Sequence, residues 1–133
     1  MADDKVMIVA GIGCRRGATA EEIEAVIMLA LDRVGLALRS LDALGTIVGK
    51  AEEPGLCEAA RRLSLPLMAC SAEDLRAVID RIVTPSLHAE AAIGVPSVAE
   101  AAALAAAGPS ARLCQPRVAT AQATCAIAES GER

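Results

Sequence analysis

Three times in succession, a short apolar run gives way to a polar turn and then to an apolar stripe at helical spacing. Val6-Met7-Ile8-Val9-Ala10 is continuous and ends at Gly11 and Gly13, the pattern of a buried strand. Thr19 and Glu22 then stand at the spacing of a capping box, in which each side chain meets a free backbone N–H. Ile23, Val26, Ile27, Ala30, Leu31 and Val34 follow as one apolar stripe, closed by Gly35. Leu44–Gly49 is the second predicted strand, 50–55 a polar turn, and Leu56, Ala59, Ala60 and Leu63 the second stripe. Leu65–Ala69 is the third strand, with Pro66 tolerated at its entry or on an edge. Ser71 and Asp74 repeat the box, ahead of Leu75, Val78, Ile79 and Ile82. This β-α-β-α-β-α order implies parallel strands joined by crossover helices.

The last third changes character. Thr84-Pro85-Ser86 opens a short predicted helix that stops near Gly94. Ser97 and Glu100 form a third box before an alanine-dense helix that ends at Gly108. Its small residues predict close packing on the sheet or on a neighbouring helix, inside the monomer or across a homo-oligomer. Ala111–Ala119 and Gln122–Ala128 read as two late strands, joined too tightly for a parallel crossover. They should pair antiparallel. The expectation is a single α/β domain over 1–133 with a mixed, mainly parallel sheet ending in an antiparallel pair. Ser130–Arg133 reads as a frayed end.

Composition narrows the function. The chain is 54% hydrophobic and 23% charged, which excludes a disordered segment. Phe, Trp and Tyr are absent, so aromatic stacking of bases and aromatic sandwiching of a flat ligand are both excluded. A net charge of −4 argues against nucleic acid and anionic membranes as partners. The single histidine, His88, forbids a multi-histidine metal site. No metal and no cofactor are expected. The five cysteines are odd in number and form no Cys-x-x-Cys pair, as in a reducing cytoplasm. Asp3, Asp4 and Lys5 argue against a signal peptide, and the run 99–107 is too short for a membrane span.

The densest chemical feature is Gly11-Ile12-Gly13-Cys14-Arg15-Arg16-Gly17, between the first strand and the first capped helix. Read as a turn, its glycines expose backbone amides, the helix start adds partial positive charge, and Arg15 and Arg16 add planar forks for carboxylate or phosphate. That makes an anion cradle on an acidic chain; the bland alternative is a glycine turn with two solvated arginines. The spacing is neither the dinucleotide fingerprint nor a Walker loop. Cys14, beside the arginines, has a setting that lowers a thiol pKa, yet cysteine is also a small buried filler. The other four cysteines sit in apolar surroundings and read as packing residues. Lys50, Glu52 and Glu53 follow the second strand, and Ser71, Glu73 and Asp74 the third. In a parallel sheet these loops share the carboxyl edge, where open α/β sheets bind ligands. Lys50, Glu52 and Cys14 are the candidates for acid/base or nucleophilic work. A solvated turn with helix-start carboxylates explains the same residues. His88 reads as a surface residue. Ser97 and Glu100 are explained by capping, with the helix start a second possible anion site.

Together, Gly11–Gly17, Lys50-x-Glu52-x-x-Gly55-Leu56, Ser71-Ala72-Glu73-Asp74-Leu75 and the run Gly94-Val95-Pro96-Ser97-Val98-Ala99-Glu100-Ala101-Ala102-Ala103-Leu104 resemble the CobE and CbiG C-terminal domain family of cobalamin biosynthesis. The resemblance runs from about residue 5 to about 128, in the stand-alone CobE form. It implies a three-layer α/β/α domain and a role in making the corrin ring. The implied ligand is a precorrin-type tetrapyrrole, with other pathway enzymes as partners. Its fringe of carboxylates suits Gly11, Gly13, Cys14, Arg15, Arg16, Gly17, Lys50, Ser71 and Ser97. CbiG opens a lactone on its intermediate; the CobE step is less defined, so carriage and turnover both stay open, as does an unrelated small-anion or nucleotide site. Where this family often has lysine in the first late strand, this chain has Arg117, which keeps the charge without an amine.

Overall fold

The computed structural model describes residues 6–83 and 97–131. Among them run the strands β1 (Ile8–Cys14), β2 (Ala43–Ile47), β3 (Leu67–Cys70), β4 (Arg112–Ala119) and β5 (Ala123–Glu129). The helices are α1 (Ala20–Val34), α2 (Pro54–Leu63), α3 (Ala72–Arg76) and α4 (Val98–Ala107). They build one sheet in the order β3-β2-β1-β5-β4. β1 pairs with β2, and β2 with β3, in parallel. β5 lies antiparallel to both β1 and β4. The mixed sheet and its late antiparallel pair are as the sequence predicts, with the parallel strands confined to the β3-β2-β1 half. The expected helix from Thr84 to Gly94, and His88 within it, lie outside the described residues.

Side-chain alternation along β1 sorts two cores. Ala10 and Ile12, with Leu44, Cys125 and Ile127, face α1 and α2 through Ile23, Val26, Ile27, Leu31 and Leu56. Val9, with Ala43 and Ala128, faces α3 and α4 through Leu75, Ala101 and Leu104. The result is three layers, α/β/α. α4 lies in the monomer, buried on its own sheet along Ala99–Leu104.

The boundary of β1 corrects the reading of the glycines. Gly11 and Gly13 are strand residues, paired with Ala126 and Thr124 of β5, and the turn shrinks to Arg15–Ala18. They face α4. A Cβ on Gly11 would collide with the carbonyl oxygen of Ala99 and stand 2.5 Å from the Ala103 nitrogen. Gly11 is there to let a helix backbone lie on a strand backbone, with Gly45 of β2 in a similar close contact under Ala102, whereas at Gly13 a Cβ would first meet the Thr124 hydroxyl, at 2.7 Å.

The capping signals mostly hold. Thr19 accepts from the Glu22 N–H at 3.1 Å and Glu22 returns the bond to the Thr19 N–H at 2.9 Å. Ser71 and Asp74 make the same reciprocal pair. α3 is shorter than its apolar stripe implies. It ends at Arg76, Val78 leaves helical geometry at φ −114° and ψ 15°, and Ile79–Arg81 form a 3-10 turn. Crowded β-branched side chains at 78, 79 and 82 disfavour continuing the helix.

Gly11→Ala should lower unfolding stability by about 1–3 kcal/mol or more, because only backbone could yield. Gly49→Ala enters open space at an ordinary φ and should stay within about 0.5 kcal/mol of the parent. Urea unfolding followed by circular dichroism measures both; equal stabilities would contradict the close-packing account.

Candidate functional site

The carboxyl ends of β1, β2 and β3 feed the turn 15–18, the 3-10 turn Val48–Lys50 and the cap Ser71 onto one edge of the sheet. The β4–β5 turn joins the same edge, where the Arg15 N–H donates to the Gln122 carbonyl at 2.9 Å. The α4 start arrives there too, since Gly13 faces Val98 and the Ala99 nitrogen. β1 sends its chain to α1 on one face, while α4 covers the other. Open α/β sheets take their ligands in the crevice outside the carboxyl ends of the strands, the position that these loops and the α4 start border.

On the α1 side, two loops abut. The Gly17 N–H donates to Glu53 Oε1 at 3.1 Å, with Gly17 in the left-handed region at φ 84°. Gly55 leaves no room for a side chain against the Ala18 carbonyl. Below them the Thr46 hydroxyl, fully buried, donates to the Ile12 carbonyl at 2.8 Å and locks β2 to β1. Arg15, Arg16 and Gly17 are exposed on this platform and Lys50 is half-buried beside it. Among the described residues, the ion pairs join Arg61 and Arg62 to Glu58, Arg62 to Glu21 and Glu24, and Arg112 to Glu129. Arg61 and Arg62 together hold the Glu58 carboxyl down at about 2. Arg15, Arg16 and Lys50 take part in none of these pairs.

Cys14 is half-buried against the α1-side core. Burial pushes its thiol above the ordinary value; the nearby Lys50 charge opposes that and Glu53 adds to it. Of the two sequence readings of Cys14, this direction agrees with the buried filler rather than with a thiol lowered by its setting: desolvation outweighs the Lys50 charge. Glu52 is exposed in the turn before α2. Ser71 is exposed and its hydroxyl oxygen accepts the Asp74 N–H. Ser97 is buried and its hydroxyl oxygen accepts the Glu100 N–H at 3.3 Å. Gly11 and Gly13 lie beneath the platform in the sheet. Of the remaining cysteines, Cys70 and Cys125 are buried and Cys114 half-buried, but Cys57 is exposed, its thiol donating to the Ala51 carbonyl. The expectation that all four pack in apolar surroundings is corrected at Cys57.

Sequence reasoning placed Glu53 at the carboxyl edge but not its role there, which is to tie the two loops, and misread Glu100. The third box is not reciprocal: Ser97 caps α4, but the Glu100 carboxylate is committed elsewhere. Glu100 Oε1 accepts the Val83 N–H at 2.6 Å and Oε2 the Arg117 N–H at 2.8 Å. The available signal was a carboxylate in a helix otherwise built of Val, Ala and Leu. No cluster of three or more metal-ligating side chains is present among the described residues, and none of their helices is long and apolar enough to cross a membrane.

A thiol held protonated reacts slowly with alkylating agents near neutral pH. With iodoacetamide at pH 7.5, Cys57 should label first and Cys14 well behind it, the Cys14 rate rising only as pH climbs past the ordinary thiol range. Peptide mass spectrometry reads both sites. Cys14 labelling first near neutrality would contradict the desolvation account.

The chain matches the family model described as "Cobalamin synthesis G C-terminus" over residues 8–128. It is 36% identical over 121 residues to the protein CobE of Sinorhizobium sp., covering 91% of this chain and 79% of that protein. It is 37% identical over 68 residues to a cobalt-precorrin-5A hydrolase of Priestia megaterium, which is 51% of this chain but only 18% of that enzyme. Among solved structures, a CobE from the cobalamin biosynthetic pathway superposes with a TM-score of 0.91 at 38% identity, covering 96% of this chain and 93% of that one. The cobalamin biosynthesis protein chiG of Agrobacterium tumefaciens superposes with a TM-score of 0.75 at 43% identity, over 95% of this chain and all of its own. With the family model spanning nearly all of the described sheet, and the CobE relative matched over most of both chains, the chain belongs to the cobalamin synthesis G C-terminal family, as a cobalamin biosynthesis protein of the CobE/CbiG C-terminal type.

Proposed function

We propose that the carboxyl-edge crest binds a corrin-ring intermediate by its peripheral carboxylates and carries it, or presents it, to other enzymes of cobalamin biosynthesis. One observation carries the reading. A chain of net charge −4 places Arg15, Arg16 and Lys50 on a single edge, outside the described ion pairs that occupy Arg61, Arg62 and Arg112. Guanidinium and ammonium groups left unpaired beside a crevice are suited to the carboxylates of an incoming ligand. The Gly17–Glu53 bond and the Gly55–Ala18 contact hold this platform rigid, so binding orders little of the protein backbone. The exposed Ser71 hydroxyl at the end of β3 offers a further polar contact along the same edge. With no aromatic side chain in the sequence, the ring face must meet aliphatic groups; Val48, exposed at the crest, is one.

Burial of Cys14 argues against that thiol as a nucleophile. A protonated, half-buried thiol is a poor nucleophile. The hydrolase relative suggests the alternative, an enzyme acting on a ring substituent or lactone, with Lys50 and Glu52 as the acid/base pair.

The test uses cobyrinic acid, a coloured corrin that bears peripheral carboxylates, with gel filtration monitored in the visible. The parent protein should elute with colour and release it as salt is raised, because exposed charges are screened. The Arg15→Ala/Arg16→Ala variant should bind at least about tenfold more weakly, a loss of about 1.4 kcal/mol. Equal binding by parent and variant would remove the arginines from the site. A change in ligand mass abolished by Lys50→Ala and Glu52→Ala would favour turnover over carriage.

A further inference from the structure

We infer that Glu100 is a positioning residue of the crest: its buried carboxylate fixes Arg117 on the α4 side, where the Arg117 guanidinium receives a second carboxylate of the ligand. This rests on the corrin reading above and extends it to the opposite face of the crevice.

Glu100 is 0% exposed. A buried carboxylate is costly unless hydrogen bonds compensate it. Here its two oxygens reach two distant chain segments, Val83 after α3 and Arg117 in β4. Neither bond serves helix capping, which Ser97 performs without it. The Arg117 N–H comes from an irregular stretch of β4. The register of β4 against β5 shifts between Gln115 and Val118, around Pro116. Such bulges free ladder groups and re-aim side chains. The freed N–H is taken by Glu100, and charge-assisted bonds of this kind are short and directional.

The consequence is a cationic residue on the α4 side as well. Val118 is buried in the α1-side core, while Arg117 is half-buried beside the α4 start. Like Arg15, Arg16 and Lys50, Arg117 takes part in none of the described ion pairs. Cations therefore stand on both sides of the crevice: Arg15, Arg16 and Lys50 towards α1, Arg117 towards α4. A ligand with carboxylates around its whole rim can engage both sets, whereas a ligand with one anionic end can engage only one. Val83, 61% exposed and anchored by the same carboxylate, adds an aliphatic contact near Arg117.

The experiment is a double-mutant cycle on Glu100→Gln and Arg117→Met, titrating cobyrinic acid and its fully esterified form by visible absorbance, with circular dichroism melts on every variant. Arg117→Met should weaken the acid by about tenfold and leave the ester within about twofold. Glu100→Gln should weaken the acid in the parent background, but add less than about twofold once Arg117 is gone, because it acts through that side chain. Should Glu100→Gln not fold, Glu100→Asp, which keeps the charge and shortens its reach, takes its place in the cycle. A Glu100 effect undiminished without Arg117, or parent-like binding by Arg117→Met, overturns this inference alone. Failure of the parent to bind either form overturns the corrin reading and this inference together.

Discussion

Everything at the crest depends on how closely α4 lies on β1. At Gly11 the strand offers no side chain, and the Ala99 carbonyl and Ala103 backbone occupy the space one would need. Gly45 gives β2 the same relation to Ala102. Dispersion contacts between backbones, each small, accumulate over such an interface. That fixes α4 lengthwise as well as in height, because the glycines form a slot rather than a smooth surface. The start of α4 is thereby held over the end of β1, and with it Ser97, Val98 and Glu100. The placing of the α4 start beside the carboxyl end of β1 follows from this contact.

The absence of aromatic residues fits the same logic. The fully buried side chains of greatest volume are Ile, Leu, Val and the single Glu100, and α4 fills its layer mainly with alanine. Layers built from small side chains pack at close range, and a change of one methylene is felt. The crest then inherits a particular chemistry. It can supply aliphatic surface and cations, but no π-stacking. A flat ligand held this way is fixed by its rim, so its charged substituents decide whether it binds. The thiols follow from the same packing: desolvation pushes half-buried Cys14 and buried Cys70 and Cys125 upward, which suits them to filling volume.

Local signals were legible in the sequence because their partners are local. The Thr19–Glu22 and Ser71–Asp74 boxes close within three residues. The strand–helix alternation and the late antiparallel pair needed only periodicity and connection length. The glycines were harder. Gly11 and Gly13 satisfy a turn and a helix–strand slot equally well, and what decides between them is α4, far along the chain. Glu100 failed for the same reason. Ser-x-x-Glu spacing describes a capping box, but nothing near residue 100 reveals that its carboxylate is spent on Val83 and Arg117. Cys14 shows a further limit: adjacent arginines are visible in sequence, whereas what moves the thiol is the desolvation of the packed α1 layer, opposed by Lys50 from a separate loop. Of the site, then, Arg15, Arg16, Lys50, Glu53 and Ser71 could be placed at the carboxyl edge from the β-α order alone, whereas the Gly17–Glu53 tie and the Glu100–Arg117 bond could not.

The central claim is that one edge of the sheet, with cations on both sides of a crevice, receives a tetrapyrrole by its rim carboxylates. The most direct measurement is amide chemical-shift mapping of the 15N-labelled protein as cobyrinic acid is added. The account predicts that perturbed amides cluster at Gly17, Lys50, Ser71, Val98 and Arg117, on both sides of the crest, while Gly35 and Gly108, which close α1 and α4 at the opposite edge, stay fixed. Shifts centred on that opposite edge, or confined to the exposed Arg61 and Arg62 face of α2, would contradict it.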